Sequence, residues 1–447
     1  MARGMRGGAS AGALRRVQIG NALSSFGAGF TIPYMFVYVA QVRGLGSMTA
    51  WLVFTVYALA ALVVLPFTGP GLDRYGPRPV LTVGALLAAV GALVFGHAAT
   101  SGTVVAAAFL FGAGATIVQP ALATMVVRCT GPARRAHAFA VQFTVANLGL
   151  GVGALIGGQI VDVSRPSSLT LLFTIEALMF LALAAVTGTV RGPAVSAGAA
   201  VSGAAVSGAA PAERGRSDLR TLLRDRAMVR LCALAALIFF ACYGQFESGV
   251  SAYATGTVGI SPSTLGLGLG ANTLAIVLLQ MVVVRFTARR RRTTAIVATG
   301  AVWLAAWAAA ALAGLLHGTT AVAVGGMMTT YVLFGVGEAL LAPTLGPMVA
   351  DLAPAHLLGS YNAAFALVKQ IAIALGPAAG VLLVGAGLSP LYLLAMGATT
   401  ILLVVLALRL RPALTPLQDN APGAVRPSLG VAGTVARPQR AAELHAA

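Results

Sequence analysis

The sequence predicts an all-α membrane protein with twelve transmembrane helices, arranged as two pseudo-symmetric six-helix bundles. Three observations predict this fold: the composition, the spacing of the apolar segments, and an internal repeat. Of the 447 residues, 58% are hydrophobic and only 9% are charged, whereas soluble domains carry about 25% charged residues. Apolar segments of about 20 residues, the length that crosses a bilayer, recur along almost the whole chain. The composition therefore excludes a soluble multidomain protein.

The apolar segments fall into two sets of six predicted helices. The first set covers residues 17–41, 50–70, 79–99, 102–127, 138–161 and 169–190. The second set covers residues 229–254, 264–285, 294–316, 321–349, 360–385 and 390–409. The predicted regions are therefore an N-terminal tail (1–16), an N-terminal six-helix bundle (17–190), a linker (191–228), a C-terminal six-helix bundle (229–410) and a tail (411–447).

The segments outside the bundles have compositions typical of linkers and tails. The linker contains the repeat AVSGAAVSGAA, which behaves as a flexible chain, and we expect its Arg-rich end to form a surface helix. The tail after Pro412 is rich in Pro, Gly and Ala, so we expect it to be disordered. The apolar segment after Val17 is longer than the 7–15 residues of a signal-peptide core, which indicates a retained first helix.

The distribution of Lys and Arg predicts the orientation in the membrane. With twelve spans, the tails, the linker and the even-numbered loops share one side, and that side holds 26 of the 29 basic residues. The exceptions are Arg43 and Arg165 in the opposite loops and Lys369 within a span. Because basic loops stay in the cytoplasm during insertion, we expect a multi-pass protein of the bacterial inner membrane with both termini, the linker and the tails on the cytoplasmic side.

Several other classes of protein are excluded. The net charge of +18 resides in short connectors, whereas nucleic-acid binders cluster basic residues on one folded face, so we expect no nucleic-acid partner. The histidines and the three cysteines (Cys129, Cys232 and Cys242) lack metal-ligand spacing. No G-x-x-x-x-G-K-[ST] phosphate loop occurs. We therefore expect neither an enzyme nor an ATP-driven pump, and no metal or other cofactor.

An internal repeat relates the two bundles. The motif F-G-x-G-x₅-P occurs at residues 111–120 and again at 334–343, an offset of 223 residues. The same offset, without a gap, relates Gly153 to Gly376 and Gly157 to Gly380. A match without a gap from residue 111 to residue 157 is not expected by chance among Gly-rich helices. Six-helix halves related in this way place the substrate path between them, near the bilayer midplane.

The connector between the second and third spans reads G-P-G-L-D-R-Y-G-P-R. It resembles the signature loop of the major facilitator superfamily, and the resemblance covers about residues 15–410. It implies the major facilitator fold and a conformational latch in which Asp and Arg side chains make contacts across the two halves. The alternative is an ordinary basic loop that contains a hydrogen-bonded Asp. The residues to which the resemblance assigns the latch are Gly69, Asp73, Arg74, Gly76 and Arg78.

Two Gly-rich segments are similar to the antiporter motif of the twelve-span drug-efflux branch of this superfamily. In helix five they are Gly149, Gly153, Gly157 and Gly158, and in helix eleven they are Gly376, Pro377 and Gly380. The resemblance implies drug:proton antiport, and the alternative is plain helix packing through small residues. The sequence also departs from the branch, with Ala154 in place of Pro, Ala108 in place of an Arg in helix four, and no acid in helix one.

Four ionisable residues within the spans are candidates for proton or charge coupling, since burying such a group in a membrane is costly. Glu176 and Glu247 lie toward the outer helix ends, where the alternative is a hydrated interfacial group. Glu338 and Lys369 lie about 18 Å and 15 Å deep on consecutive helices, at 1.5 Å rise per residue. Their similar depth predicts a pair that titrates or binds a charged substrate, and the alternative is a static salt bridge.

Other polar residues in the spans are expected to line an amphipathic substrate path. They are Asn21, Ser25, Tyr34, Gln119, Tyr243, Gln245, Asn272 and Gln280. The sequence thus favours a monomeric secondary transporter that works by alternating access and exports a drug or secondary metabolite by proton antiport, with the lipid bilayer as its surroundings. The alternatives are a facilitator or proton-coupled importer of a small nutrient or metabolite, and a non-transporting membrane sensor, which would need a soluble domain that neither the linker nor the tails provide.

Overall fold

The computed structural model describes residues 2–162, 165–190, 220–246 and 248–422. Within these ranges the chain is helical and contains no strand. The N-terminal half contains six long helices: α1 (Ala2–Thr31), α2 (Gly46–Tyr75), α3 (Pro77–His97), α4 (Ser101–Cys129), α5 (Arg135–Ile160) and α6 (Pro166–Gly188). The C-terminal half contains α7 (Arg226–Ile238), α8 (Pro262–Thr287), α9 (Arg292–Leu315), α10 (Thr320–Leu341), α11 (Leu358–Gly385) and α12 (Ser389–Leu410).

Three of these helices continue through irregular segments. After α1 the chain turns through residues 32–42, and after α7 a π-helical turn at Phe239–Tyr243 leads into a short helix at Gly244–Phe246; we call residues 239–246 the α7 extension. After α10 the chain continues through the short helix Leu345–Leu352, which leads toward the start of α11. The twelve helices and their two groups of six confirm the predicted fold class.

Eleven of the described helices are long and apolar enough to cross a membrane. The exception is α1, in which Gln18, Asn21 and Ser24 are buried polar residues, and which nevertheless packs along α5 and α6. Large apolar side chains such as Leu155 and Leu382 are exposed on the outside of the bundle, as expected where a helix faces lipid.

The ends of the chain differ from the sequence prediction. Residues 2–16, predicted as a tail, form the first part of α1, so that helix begins well before Val17. Residues 411–422, predicted as part of a disordered tail, are ordered, because Asp419 is buried and accepts hydrogen bonds from the N–H and hydroxyl of Thr293 at 2.8 and 2.9 Å. The predicted flexible repeat in the linker and the rest of the tail lie outside the described residues, whereas residues 220–224 are helical.

The repeated F-G-x-G motif lies at equivalent helix crossings in the two halves. A Cβ added at Gly112 would meet the backbone of α2, and one at Gly114 would meet the backbone of α3. In the second half, Gly335 lies against the backbone of α8 and Gly337 against the Trp303 indole of α9. Small residues at these positions allow the helices to approach closely. The internal repeat is therefore a repeat of packing as well as of sequence.

The antiporter-like glycines also occupy equivalent crossings. On α5, a Cβ at Gly149 would lie 2.8 Å from the Ala22 carbonyl oxygen of α1. Gly153 lies against the same helix, and Gly157 and Gly158 face Tyr34 just after it. On α11, a Cβ at Gly380 would lie 2.5 Å from the Cα of Gly249, and Gly376 meets the backbone of the α7 extension. The side chain of Pro377 lies outside the described structure.

These crossings give a stability prediction. Gly153→Val places a branched side chain where α1 and α5 touch, so we expect a lower melting temperature of the purified protein, equivalent to about 1–3 kcal/mol of overpacking. The matched control is Gly151→Ala on the same helix, where the added Cβ would lie 3.8 Å from its nearest neighbour and little change is expected. Equal melting temperatures for Gly153→Val and the wild type, measured by differential scanning fluorimetry, would contradict this account of the motif.

Each half has its own apolar core, and a smaller cluster joins them. The core of the first half is built from residues between Ala13 and Val190, and the core of the second from residues between Leu222 and Leu414. Val127, Ala350 and Leu358 form a separate cluster across the halves. This cluster lies where the α2–α3, α4–α5, α8–α9 and α10–α11 connectors meet. We call this side of the bundle the arginine-rich face, because arginines lie in or directly beside the first three of these connectors.

Candidate functional site

Two neighbouring cavities lie between the halves. The first, the Glu176 cavity, has a volume of about 200 Å³ and is lined from α1, α2, α4, α6 and α11. The second, the Tyr243 cavity, has a volume of about 230 Å³ and is lined from α1, α4, α5, the α7 extension, α10 and α11. Gln119, Ala366 and Lys369 line both. Side chains from both halves therefore surround a central space, where the sequence repeat places the path.

Half of the predicted path residues line these cavities. Ser25 and Gln119 line the Glu176 cavity, and Asn21, Gln119 and Tyr243 line the Tyr243 cavity. The other four do not, and each donates a hydrogen bond to a neighbouring helix instead. These bonds run from Tyr34 to the Ala154 carbonyl (3.0 Å), Gln245 to the Gly376 carbonyl (2.9 Å), Gln280 to the Ala339 carbonyl (3.1 Å) and Asn272 to the Glu338 carboxylate (3.1 Å).

Glu338 is buried within the C-terminal half and lies beside neutral groups. Its side chain is 6% exposed. The Asn272 amide of α8 donates to Oε1 at 3.1 Å, and the Tyr243 hydroxyl group lies close to this carboxyl group. Because Tyr243 lines the Tyr243 cavity, the carboxyl group lies one side chain away from the central space. The arrangement connects a buried acid to the space between the halves.

Glu338 and Lys369 do not form the predicted pair. Within the described ranges, no ion pair or hydrogen bond joins them. The Lys369 ammonium nitrogen lies 5.3 Å from the centre of the Phe239 ring and faces both cavities. The two residues have similar depths but face different directions, because each residue turns a helix by about 100° and depth alone leaves that rotation undefined. Lys369 is therefore a cation of the central space rather than the partner of Glu338.

Glu176 is deeper than the sequence indicated. Since α6 begins at Pro166, Glu176 lies ten residues into the helix, about 15 Å from its end at 1.5 Å per residue. It is 1% exposed, and its Oε2 atom is buried without a hydrogen-bond partner among the described residues. This burial contradicts the alternative of a hydrated interfacial group. The remaining candidate, Glu247, lies outside the described residues.

Asp73, in the signature loop, joins the two halves. Its carboxylate accepts hydrogen bonds from the Gly359 N–H at 2.6 Å, the Ser360 N–H at 2.8 Å and the Ser360 hydroxyl at 2.7 Å. Gly359 and Ser360 begin α11, and a helix N-terminus favours a carboxylate through its unpaired N–H groups and its dipole. Gly69 permits the contact, because a Cβ there would lie 2.7 Å from the Ser360 Cα.

The other loop residues act within the N-terminal half. Gly76 ends α2 at a φ of +84°, a conformation that glycine adopts readily. The Arg74 guanidinium carbon lies 5.2 Å from the centre of the Tyr75 ring, and Arg78 donates to the Gly188 carbonyl at the end of α6. Arg128, at the end of α4, attracts Asp73 only at longer range, since no ion pair joins the two within the described ranges. The resemblance placed Arg74 and Arg78 in contacts across the halves, whereas the contacts that the structure describes for them stay within one.

A second set of polar contacts crosses the halves at the arginine-rich face. Asp351, at the end of the short helix after α10, pairs with Arg135 at the start of α5 and with Arg292 at the start of α9, the latter at 2.7 Å. Sequence reasoning missed this cluster. The repeat offset of 223 relates Asp351 to Arg128, so the two halves carry opposite charges at equivalent positions. Applying the offset to charged residues as well as glycines would have found it.

The Asp351 cluster gives a second stability prediction. Asp351→Asn leaves Arg135 and Arg292 without their shared counter-charge, and removing one member of a largely buried ion pair costs about 3 kcal/mol. We expect a melting temperature several degrees below that of the wild type. The control is Asp162→Asn, since Asp162 and its partner Arg165 are 46% and 79% exposed and exposed pairs contribute little. A similar shift of the melting temperature in both variants would show that the Asp351 pairs stabilise the protein no more than an exposed ion pair does.

Comparisons with known proteins agree with this architecture. The sequence model described as Major Facilitator Superfamily matches residues 18–257 and 248–442. The chain is 25% identical to the quinolone resistance protein NorA of Staphylococcus aureus over 139 residues, which are 31% of this chain and 36% of NorA. It is 32% identical to the uncharacterized MFS-type transporter Rv1250 of Mycobacterium tuberculosis over 124 residues, 28% of this chain and 21% of that protein.

The solved structures are similar over a much longer stretch than the curated sequences. The matches to NorA and Rv1250 span only about a third and a fifth of those proteins. A crystal structure of the E. coli fucose:proton symporter FucP superimposes with a TM-score of 0.69 over 89% of this chain and 98% of FucP. Because the identity in that superposition is 14%, the similarity concerns the fold alone.

Proposed function

Because this chain belongs to the Major Facilitator Superfamily, whose members are transporters and not enzymes, we propose that it is a proton-coupled exporter of small amphipathic molecules. The chain is a multi-pass membrane transporter with a twelve-helix fold. The proposal adds a direction of transport, a coupling ion and a class of substrate. It also places the protein, as a monomer, in the bacterial inner membrane.

The buried carboxyl group of Glu338 is the observation that carries the proposal. Its hydrogen-bond donor Asn272 and its neighbour Tyr243 are both neutral. Burying a carboxylate without a cation is costly, and a bound proton removes that cost. Tyr243 lies beside the group and lines the Tyr243 cavity, so a substrate that moves Tyr243 changes the surroundings of the carboxyl group. In this proposal Glu338 takes up the proton and Tyr243 links its protonation to the substrate.

The lining of the cavities supports an amphipathic substrate. Apolar side chains predominate, with Phe139, Phe143, Phe239 and Phe365 in the Tyr243 cavity, and a few polar groups such as Asn21 and Gln142. Sites of this kind bind molecules with a large apolar part and a small number of polar groups. NorA, to which part of the chain is similar, is named for quinolone resistance, which is consistent with export of such compounds.

The orientation of the arginine-rich face determines from which side of the membrane the central space is closed. Basic loops face the cytoplasm in membrane proteins, so we assign this face to the cytoplasmic side. The contacts of Asp73 and Asp351 then join the halves on that side, and the central space is separated from the cytoplasm in this conformation. An exporter passes through such a state after it has carried its substrate outward.

Import remains the second candidate, and one residue favours it. Ala108 is fully buried in α4 at the position where the drug-efflux branch carries an Arg. Without that cation the first half has one fewer charged group near the path, and proton coupling depends on the second half. A proton-coupled importer or a facilitator of a small nutrient is compatible with that arrangement.

Everted membrane vesicles distinguish these functions, because export from the cell becomes uptake into the vesicle. We expect a pH gradient, acid inside, to drive accumulation of fluorescent amphipathic compounds, and an uncoupler to abolish it. Vesicles with equal amounts of the Asp162→Asn variant should behave like the wild type. Accumulation that does not respond to the gradient would reject proton antiport, and uptake by right-side-out vesicles alone would favour the importer.

A further inference from the structure

The Glu176 cavity contains an acid that the proposed coupling through Glu338 does not use. Glu176 faces the cavity from α6 and is 1% exposed. Its Oε2 atom has no hydrogen-bond partner in the part of the chain that the structure describes, and it lies against Gly27 of α1, where a side chain would collide with it. A buried carboxylate oxygen that lacks a donor is costly, and a ligand in the adjoining cavity is one source of the missing interaction.

Aromatic rings form one wall of this cavity. Tyr57 and Phe111 meet edge to face with ring centres 5.4 Å apart, and Phe111 meets Phe180 at 6.1 Å in the same manner. Phe180 lies one helical turn after Glu176 on α6, so the carboxyl group and the rings border the same space. The faces of aromatic rings attract cations, and organic ammonium groups are bound in this way. An acid beside three rings is therefore suited to an ammonium group.

Lys369 faces the same cavity from the opposite half. Within the described ranges, no ion pair or hydrogen bond joins Lys369 to Glu176, although both border a space of about 200 Å³. In their ionised forms the two side chains carry opposite charges, which attract one another across the cavity. A cationic ligand that enters the cavity is attracted by Glu176 and repelled by Lys369, so the two side chains have opposite effects on its affinity.

We propose that the Glu176 cavity binds the positively charged amine or quaternary ammonium group of a substrate, with Glu176 as the counter-ion, Tyr57, Phe111 and Phe180 as the aromatic wall, and Lys369 as an opposing cation. This rests on the proposed transport function and specifies its substrate class. The apolar part of the substrate extends into the adjoining Tyr243 cavity, which shares Gln119 and Lys369 with this one. Proton coupling through Glu338 and amine binding through Glu176 are then separate tasks in separate halves.

The test compares two ligands of the same shape that differ in charge. Phenyltrimethylammonium and tert-butylbenzene are isosteric, with a charged nitrogen in one and a neutral carbon in the other. We would measure their dissociation constants by ligand-observed NMR on the full-length protein in lipid nanodiscs. Glu176→Gln should weaken binding of the cation about tenfold or more, and leave the neutral ligand unchanged. Lys369→Met should strengthen binding of the cation by about fivefold.

Asp162→Asn, an acid-to-amide change outside the cavities, is the control and should match the wild type. Opposite effects of the Glu176 and Lys369 variants cannot both come from misfolding, so agreement with both expectations supports the proposal. Equal binding of the two ligands by the wild type, or an unchanged preference in Glu176→Gln, would overturn it. The vesicle assay is independent: charge-selective binding without proton-driven transport would reject the antiport proposal and leave the amine site standing.

Discussion

Glu338→Gln is expected to reduce proton-driven accumulation in everted vesicles by about tenfold or more, which corresponds to at least about 1.4 kcal/mol. Glutamine has nearly the same shape as glutamic acid and keeps an oxygen that can accept the Asn272 hydrogen bond, now 3.1 Å long. It cannot take up or release a proton. The substitution therefore removes the proposed coupling group while keeping its packing within the C-terminal half.

The decisive comparison is between driven and undriven transport by the same variant. Exchange of labelled for unlabelled substrate across vesicles without a pH gradient needs no net proton movement, so Glu338→Gln should retain it. Wild-type transport should depend on pH in this assay, and transport by the variant should lose most of that dependence. If the variant still concentrates substrate in response to the gradient, Glu338 is not the coupling group and the search moves to Glu176 and Glu247.

The lengths of the apolar segments and the repeat predicted the fold well, because both can be read directly from the order of the residues. Apolar length places the spans, and Gly153 and Gly376 mark equivalent crossings because only small residues allow such close approach. Glu338 was also correctly placed within a span. Its contacts were not predictable, since a position one residue away on a helix faces a direction about 100° different. The same uncertainty produced the wrong pairing of Glu338 with Lys369.

Contacts between the halves were the least predictable part of the site. Asp73 was singled out by its loop, yet its partners Gly359 and Ser360 lie nearly 290 residues away and carry no distinctive side-chain pattern. Arg128 and Asp351 were missed because the repeat was sought among identical residues, whereas these two equivalent positions carry opposite charges. Asp419 was missed because a Pro- and Gly-rich composition indicated disorder. A single buried carboxylate, bonded to Thr293, orders the first part of that tail.

The contact of Asp73 with α11 leads to the second large effect. Asp73→Asn removes a negative charge that accepts three hydrogen bonds at a helix N-terminus. In asparagine an NH₂ group replaces one carboxylate oxygen, so a hydrogen-bond donor then faces the donors of Gly359 and Ser360. Loss of such contacts costs about 2 kcal/mol, so the population with separated halves at the arginine-rich face should rise about 30-fold relative to the closed one. Transport should fall as well, because the closed state becomes rare.

Separation at this face can be followed by chemical labelling. Val127 is 5% exposed and lies in the small cluster that joins the halves. A Val127→Cys substitution, made in a background without Cys129, Cys232 and Cys242, should react with a maleimide much faster when Asp73 is also changed to Asn. Equal labelling rates with and without the Asp73 change would mean that this contact does not hold the face closed.

Arg74 provides the matched control and separates the structure from the family resemblance. The resemblance gives Arg74 a part in the latch, whereas the structure places it over Tyr75 within its own half. If the hydrogen bonds of Asp73 hold the face closed, Arg74→Gln should leave the labelling rate of the introduced cysteine unchanged, while Asp73→Asn raises it. If both raise it equally, the positive charge of the loop as a whole holds the halves together. The hydrogen bonds to Gly359 and Ser360 would then be a consequence of closure rather than its cause.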